Sequence, residues 1–280
     1  MPSTLRVARG REERTHNAFG QLLRQWRGRR RLSQLDLAIE AEISTRHVSF
    51  IETGRAQPSR EMVVLLADVL DVPLRDRNEL LITAGYAPLY RETSLDTPAM
   101  TQLHRAFDFI LQQQEPYPTL VLDRHWNVLK VNAGSTCIQN YFLDPVAVAA
   151  LGPPNAMRLM FHPHAFRPYI VNWQATAASL IQWLHRDAIN GFGDVETRGL
   201  LEELLSYPDV PRHWRTRDLN ASTVPFLPIH FRKHELNLQF FTMLTSLGTP
   251  YDITLQELRV ESFFPADEAT EAALRRLNSG

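Results

Sequence analysis

Two serines, Ser33 and Ser44, each stand at the start of a short amphipathic stretch, followed at once by Gln34 in the first case and by Thr45 and Arg46 in the second. A serine in that place accepts a backbone N–H of the first helical turn, and the remaining free N–H groups favour an anion. Gln34 can add its side-chain amide to a phosphate. Arg46 ends in a planar fork that fits guanine O6 and N7, Ser49 follows nearly one turn later, and Phe50 offers ring surface to a thymine methyl. Thr45, Arg46, Ser49 and Phe50 are therefore candidates for reading base edges. Gln34, Arg24, Arg27, Arg29, Arg30, Arg31, Arg55 and Arg60 are candidates for phosphate contact.

Other chemistries fare worse. The ten histidines include His162-x-His164 and a His230/His234 pair at helical spacing, but the latter falls in a strand-to-turn stretch and no glutamate follows His230. Neither pair is expected to hold a metal. The single cysteine, Cys137, excludes an intramolecular disulfide and a cysteine-based zinc site. Gly20, Gly28, Gly191 and Gly193 form no phosphate-cradling pattern. No catalytic residues and no cofactor are expected.

Charge is unevenly spread. The 280-residue chain has a net charge of −1, yet nine arginines against two acids between Leu5 and Arg31 give +7 there. The first ninety residues carry +3 and the rest −4. Only Lys130 and Lys233 are lysines, so the positive charge is almost all guanidinium. A basic head on an acidic body suggests a module for a polyanion joined to one with another task. Length alone favours about two domains, and no apolar run is long enough for a membrane span. The segment MPSTLRVARGREERTHN has positive charge with no apolar stretch behind it, so no secretory leader is expected and the cytoplasm is the expected compartment.

The elements that must position the candidate residues are helical. Phe19, Leu22, Leu23 and Trp26 make an amphipathic stripe. Ser33 opens a second helix with Leu37 and Ala38 inward, and Ser44 a third with Val48 and Ile51 inward, ended by Gly54. A fourth follows Pro58-Ser59 with Leu65 among its core residues, and a fifth follows Pro73 and stops at Gly85. The expected unit is an all-α bundle of five helices.

Leu32-Ser33-Gln34, Leu37-Ala38, Ile43-Ser44, Val48-Ser49, Ile51-Glu52, Gly54 and Pro58-Ser59 together resemble the lambda-repressor-like, or XRE-type, helix-turn-helix. The resemblance implies double-stranded operator DNA as partner, the third helix in the major groove and a homodimer on paired half-sites. Glu42 departs from it, standing where glycine is usual in the turn; a left-handed backbone there costs a non-glycine residue about 1 kcal/mol. Glu52 is expected to satisfy a group inside the fold rather than touch DNA.

Beyond a proline-bounded linker, Tyr86 to Pro98, a helix is expected from Met100, then a hairpin of Thr119–Leu122 and Trp126–Asn132 around Asp123, a long helix from about Phe166 to Ile189, strands at Phe226–Arg232, Leu236–Leu244 and Ile253–Phe264, and a last helix. In the final strand Leu258, Val260, Ser262 and Phe264 alternate with Glu257, Arg259 and Glu261, which suggests a sheet with the acidic face wet. The hairpin looks like the start of a PAS domain. With Arg158 to Pro163, Asn172-Trp173, Leu247 to Pro250, Asp252 to Leu255 and Phe263 to Asp267, the body resembles the MmyB-like transcription regulators, although Leu227 to Arg232 depart from the His-Pro-x-x-Gly stretch associated with them.

The expected fold class is α+β in two domains, a five-helix lambda-repressor-like bundle and a PAS-like antiparallel sheet with packed helices. The expected divisions are a basic arm over 1–16, the DNA-binding bundle over 17–85, the linker over 86–98 and a sensor and dimerisation domain over 99–280. The resemblance implies a ligand site, and Trp126, Val128, Asn132, Trp173, Phe231, Leu238, Phe240 and Leu258 are candidates to line it, for a small apolar molecule. Each could equally be core. Two rivals stay open: a protein-interaction regulator of antitoxin or phage type without a small-molecule ligand, and an enzyme governed by its DNA-binding head.

Overall fold

The structure is a computed structural model that describes residues 18–190, 194–214, 228–248 and 250–278. The expected basic arm lies outside them. The chain divides into two compact units, one made of residues up to Thr93 together with Thr249–Gln256, the other of Ser94–Gly248 and Glu257 onward.

In the first unit five helices follow the apolar stripes: α1 over 18–29, α2 Gln34–Glu40, α3 Thr45–Glu52, α4 Arg60–Val69 and α5 Leu74–Thr83. Their starts are set by serines. Ser33 and Asp36 form a reciprocal capping box on α2, Ser44 accepts the N–H of His47 at 3.1 Å, and Ser59 accepts that of Met62 at 3.2 Å. The core holds Phe19, Leu23, Trp26, Leu37, Ala38, Val48, Ile51, Val63, Leu66 and Leu81, all buried. Leu65, expected inside, is 38% exposed because Leu66 takes the inward position of α4. Glu42 adopts the left-handed backbone, φ 53°, that its place in the turn demands.

A strip from far along the sequence completes this unit. Arg91 pairs with Asp252 in a parallel bridge, Ile253 donates its N–H to Arg91 O at 2.8 Å, and Thr93 Oγ1 donates to Asp252 Oδ2 at 2.6 Å. Ile253 is buried there. The strip ends in a short helix, α12 Ile253–Glu257, where the sequence suggested strand.

The second unit is a curled antiparallel sheet in the order β2-β1-β5-β4-β3, formed by β1 Thr119–Leu122, β2 Val128–Val131, β3 Ile229–Lys233, β4 Leu236–Thr245 and β5 Arg259–Pro265. Residues paired across strands share a face, so Leu120, Glu261 and Leu244 lie on one side, and Phe231 and Leu238 pair likewise. Against that side packs a core with helices α7 Ala133–Phe142, α9 Ala156–Phe161, α10 Trp173–Asn190, α11 Val195–Ser206 and α13 Glu268–Leu277. α8 Pro145–Ala149 joins α7 to α9, and α6 Thr101–Gln113 touches β1. The long helix starts at Trp173 rather than Phe166, because Ile170 is drawn into a bridge with Phe231 and Val171 donates to His230 O. The acidic side of β5 is not wet: Glu261 is 6% exposed.

Candidate nucleic-acid interface and ligand cavity

The placement of α3 begins at Gly20. A Cβ there would lie 2.5 Å from Glu52 O and 2.7 Å from Ile51 O, so only glycine lets α1 meet the end of α3 backbone to side. This brings Arg27 onto Glu52, with Nε at 2.6 Å from Oε1 and Nη2 at 3.0 Å from Oε2, while Gln34 Nε2 donates to Oε2 at 2.7 Å. Glu52 holds the Arg27 guanidinium above its ordinary pKa through that bond. Three helices thus meet on one buried carboxylate.

Several residues expected on phosphate also make contacts within the helical unit. Arg27 is one and Gln34 another. Arg30 donates Nε to Leu70 O at 2.7 Å, which satisfies a carbonyl at the end of α4. Arg29 lies over the Trp26 ring, 4.9 Å from its centroid. Arg24, Arg31, Arg55 and Arg60 are exposed.

On the outward strip of α3, Arg46 is exposed and Thr45, Ser49 and Phe50 are half-buried. The Phe50 ring carries two guanidiniums, Arg46 at 5.1 Å and Arg55 at 5.9 Å from its centroid. Such contacts orient the arginines and stabilise by about 0.5–1 kcal/mol at exposed sites. The result is a basic, aromatic-backed strip beginning at the helix start, suited to a phosphate-lined groove.

The second unit encloses a cavity of about 70 Å³ between sheet and helices, lined among others by Leu120, Trp126, Val128, Met160, Phe263 and Glu261. A second, of about 60 Å³, adjoins it through shared Leu120, Gln139, Met160, Phe166 and Phe263, and reaches Phe231 and Phe240. Four of the candidate lining residues therefore face these spaces. The other four do not. Asn132 caps α7 through Ser135 N–H at 2.9 Å and also accepts from Thr119 N–H at 3.0 Å. Trp173 donates Nε1 to Asp209 O at 2.8 Å and packs edge-on against Phe161. Leu238 is core, and Leu258 sits buried just before β5. Glu261 was missed, because alternation along β5 says which residues share a face but not which face is covered when both are: Val260 is as buried as Glu261.

Among the described residues no group of three or more His, Cys, Asp or Glu side chains could hold a metal ion. Cys137 donates its thiol to Leu277 O, and burial raises its pKa. No helix among the described residues is long and apolar enough to cross a membrane.

Fold and sites define a helix-turn-helix regulator with an appended ligand-binding unit. Residues 18–80 match the helix-turn-helix domain family, and residues 103–277 match the MmyB-like transcription regulator ligand binding domain. The chain belongs to the MmyB-like transcription regulators. Among solved structures it is similar to the clp gene regulator ClgR from Corynebacterium glutamicum, at 20% identity over 36% of this chain and 95% of that one, with a TM-score of 0.23. No curated protein matches.

Proposed function

We propose that this regulator acts in the cytoplasm as a homodimer on an operator with two half-sites. It lays α3 in the major groove with Thr45, Arg46, Ser49 and Phe50 against base edges, and a small apolar molecule in the cavity changes that binding. The observation that carries the reading is the strip on α3, where Arg46 and Arg55 share the Phe50 ring and neither forms an ion pair among the described residues. Arg24, Arg31, Arg55 and Arg60 supply the phosphate contacts, while Arg27, Arg30 and Gln34 hold the helices that present them. One recognition helix covers about half a turn of duplex, so two copies supply affinity, joined through the acidic unit.

The ligand acts only if it binds the DNA-competent and incompetent arrangements unequally. The route is covalent: β5 begins three residues after Gln256, the last residue of the strip hydrogen-bonded into the helical unit. The cavity favours this reading over a regulator whose second unit takes protein partners alone. Selection of duplexes from a random pool by the full chain, followed by footprinting, tests it. Enrichment of a near-palindrome with half-site centres about one helical turn apart is expected; recovery of no preferred sequence overturns it.

A further inference from the structure

The cavity has a polar corner, and its chemistry narrows the guest; the inference rests on the reading that this cavity takes a ligand. Trp126 is 1% exposed and its Nε1–H has no hydrogen-bond partner among the described residues. A buried donor left alone costs about 1–3 kcal/mol. Its backbone is also held left-handed, φ 67°, where a bulky side chain is a rare outlier. The turn around it enforces this: Trp126 donates its N–H to Asp123 O at 3.1 Å, accepts from Ala156 N–H at 2.9 Å, and is followed by Asn127, whose N–H reaches Asp123 Oδ1 at 2.9 Å. The fold thus tolerates both strain and an unsatisfied indole to keep this ring in the cavity wall.

Glu261 lines the same cavity from β5, opposite Leu120 of β1. Burial pushes its carboxyl up to about 7, against smaller opposing pulls from the Thr242 hydroxyl and the Arg259 charge. Arg259, on the same side of β5, is taken by Asp187 at 2.5 Å and stacks over the Trp126 ring at 5.2 Å.

We infer that the cavity takes a neutral, otherwise apolar molecule carrying one hydroxyl, held between the Glu261 carboxyl and the Trp126 Nε1–H. A hydroxyl has one donor and two acceptor lone pairs and so meets both groups at once. A hydrocarbon leaves the indole N–H unpaired and offers the Glu261 carboxyl nothing beyond its Thr242 hydroxyl, a carboxylate sets a second acid against Glu261, and an ammonium is repelled by the guanidinium on Trp126. A hydroxyl also suits either protonation state of Glu261, donating to the carboxylate or accepting from the acid. Each cavity is smaller than the ~150 Å³ that holds benzene, so the guest joins the two by displacing Met160, the flexible thioether among the residues they share.

The test is calorimetric titration of the full chain with two matched series: toluene, benzyl alcohol, benzylamine and benzoate; and hexane, 1-hexanol, hexylamine and hexanoate. In at least one series the alcohol is expected to bind about tenfold tighter than its hydrocarbon. Glu261→Leu is expected to abolish that advantage while hydrocarbon binding persists, which also reports an intact cavity. Trp126→Phe, which keeps the ring and removes the donor, is expected to cut it about threefold to tenfold. Alcohols binding no better than hydrocarbons, or amines or carboxylates binding tightest, would overturn the hydroxyl assignment and leave the ligand cavity standing. Binding of no probe in either series would remove the ligand reading itself.

Discussion

The side-chain oxygen of Gln256 accepts the backbone N–H of Leu74 at 2.7 Å. Leu74 opens α5, and Pro73 before it supplies no side-chain cap, so a residue 182 positions away does the capping. The β4–β5 connection is in this way part of the DNA-binding unit.

Replacing that cap loosens the start of α5 without touching the recognition strip. Gln256→Ala is expected to cost about 1 kcal/mol, read by hydrogen exchange as roughly fivefold faster exchange of the Leu74 amide. Unchanged exchange there would show that the cap is not made in solution.

Glu52 is the junction of α1, α2 and α3. Glu52→Gln leaves Arg27 facing a neutral amide in a largely buried place, and breaking a buried pair costs about 3 kcal/mol or more. Urea unfolding should show that loss, and adding Arg27→Met should cost less than a second independent loss. Full additivity would mean that the two side chains do not interact.

Glu261 gives stability a pH dependence of defined sign. Its folded pKa of about 7 lies above the 4.5 of an ordinary glutamate, so the fold favours the protonated form. Its burial is therefore without ionic cost below about pH 4.5 and increasingly costly up to about pH 7. Relative to Glu261→Gln, the native protein should lose about 3 kcal/mol of stability between pH 4 and pH 8. A constant difference across that range would place the carboxyl in water.

Much of the helical unit was legible because its rules are local. Serine caps, apolar stripes and Gly54 fix helix starts, faces and ends within a few residues, and the strip on α3 follows from the same spacing. Non-local pairing was not legible. Nothing near Arg27 in sequence announces Glu52, and nothing near Pro73 announces Gln256. Ile253–Glu257 read as strand because its β-branched and apolar residues fit either state, and its place was decided by Arg91 and Thr93. Glu261 was assigned to water because a charged residue alternating with apolar ones ordinarily faces solvent, whereas β5 is covered on both sides.

Base reading by α3 turns on Arg46. Fluorescence anisotropy of the full chain on its selected operator and on a scrambled duplex, over a range of salt, measures affinity and base preference together. Arg46→Ala is expected to lower operator affinity by about 1–3 kcal/mol, relaxing preference at one base position, while Arg55→Ala weakens both duplexes alike and reduces the salt slope by about one. If Arg46→Ala binds both duplexes as the native chain does, with its base preference intact, α3 does not read the DNA.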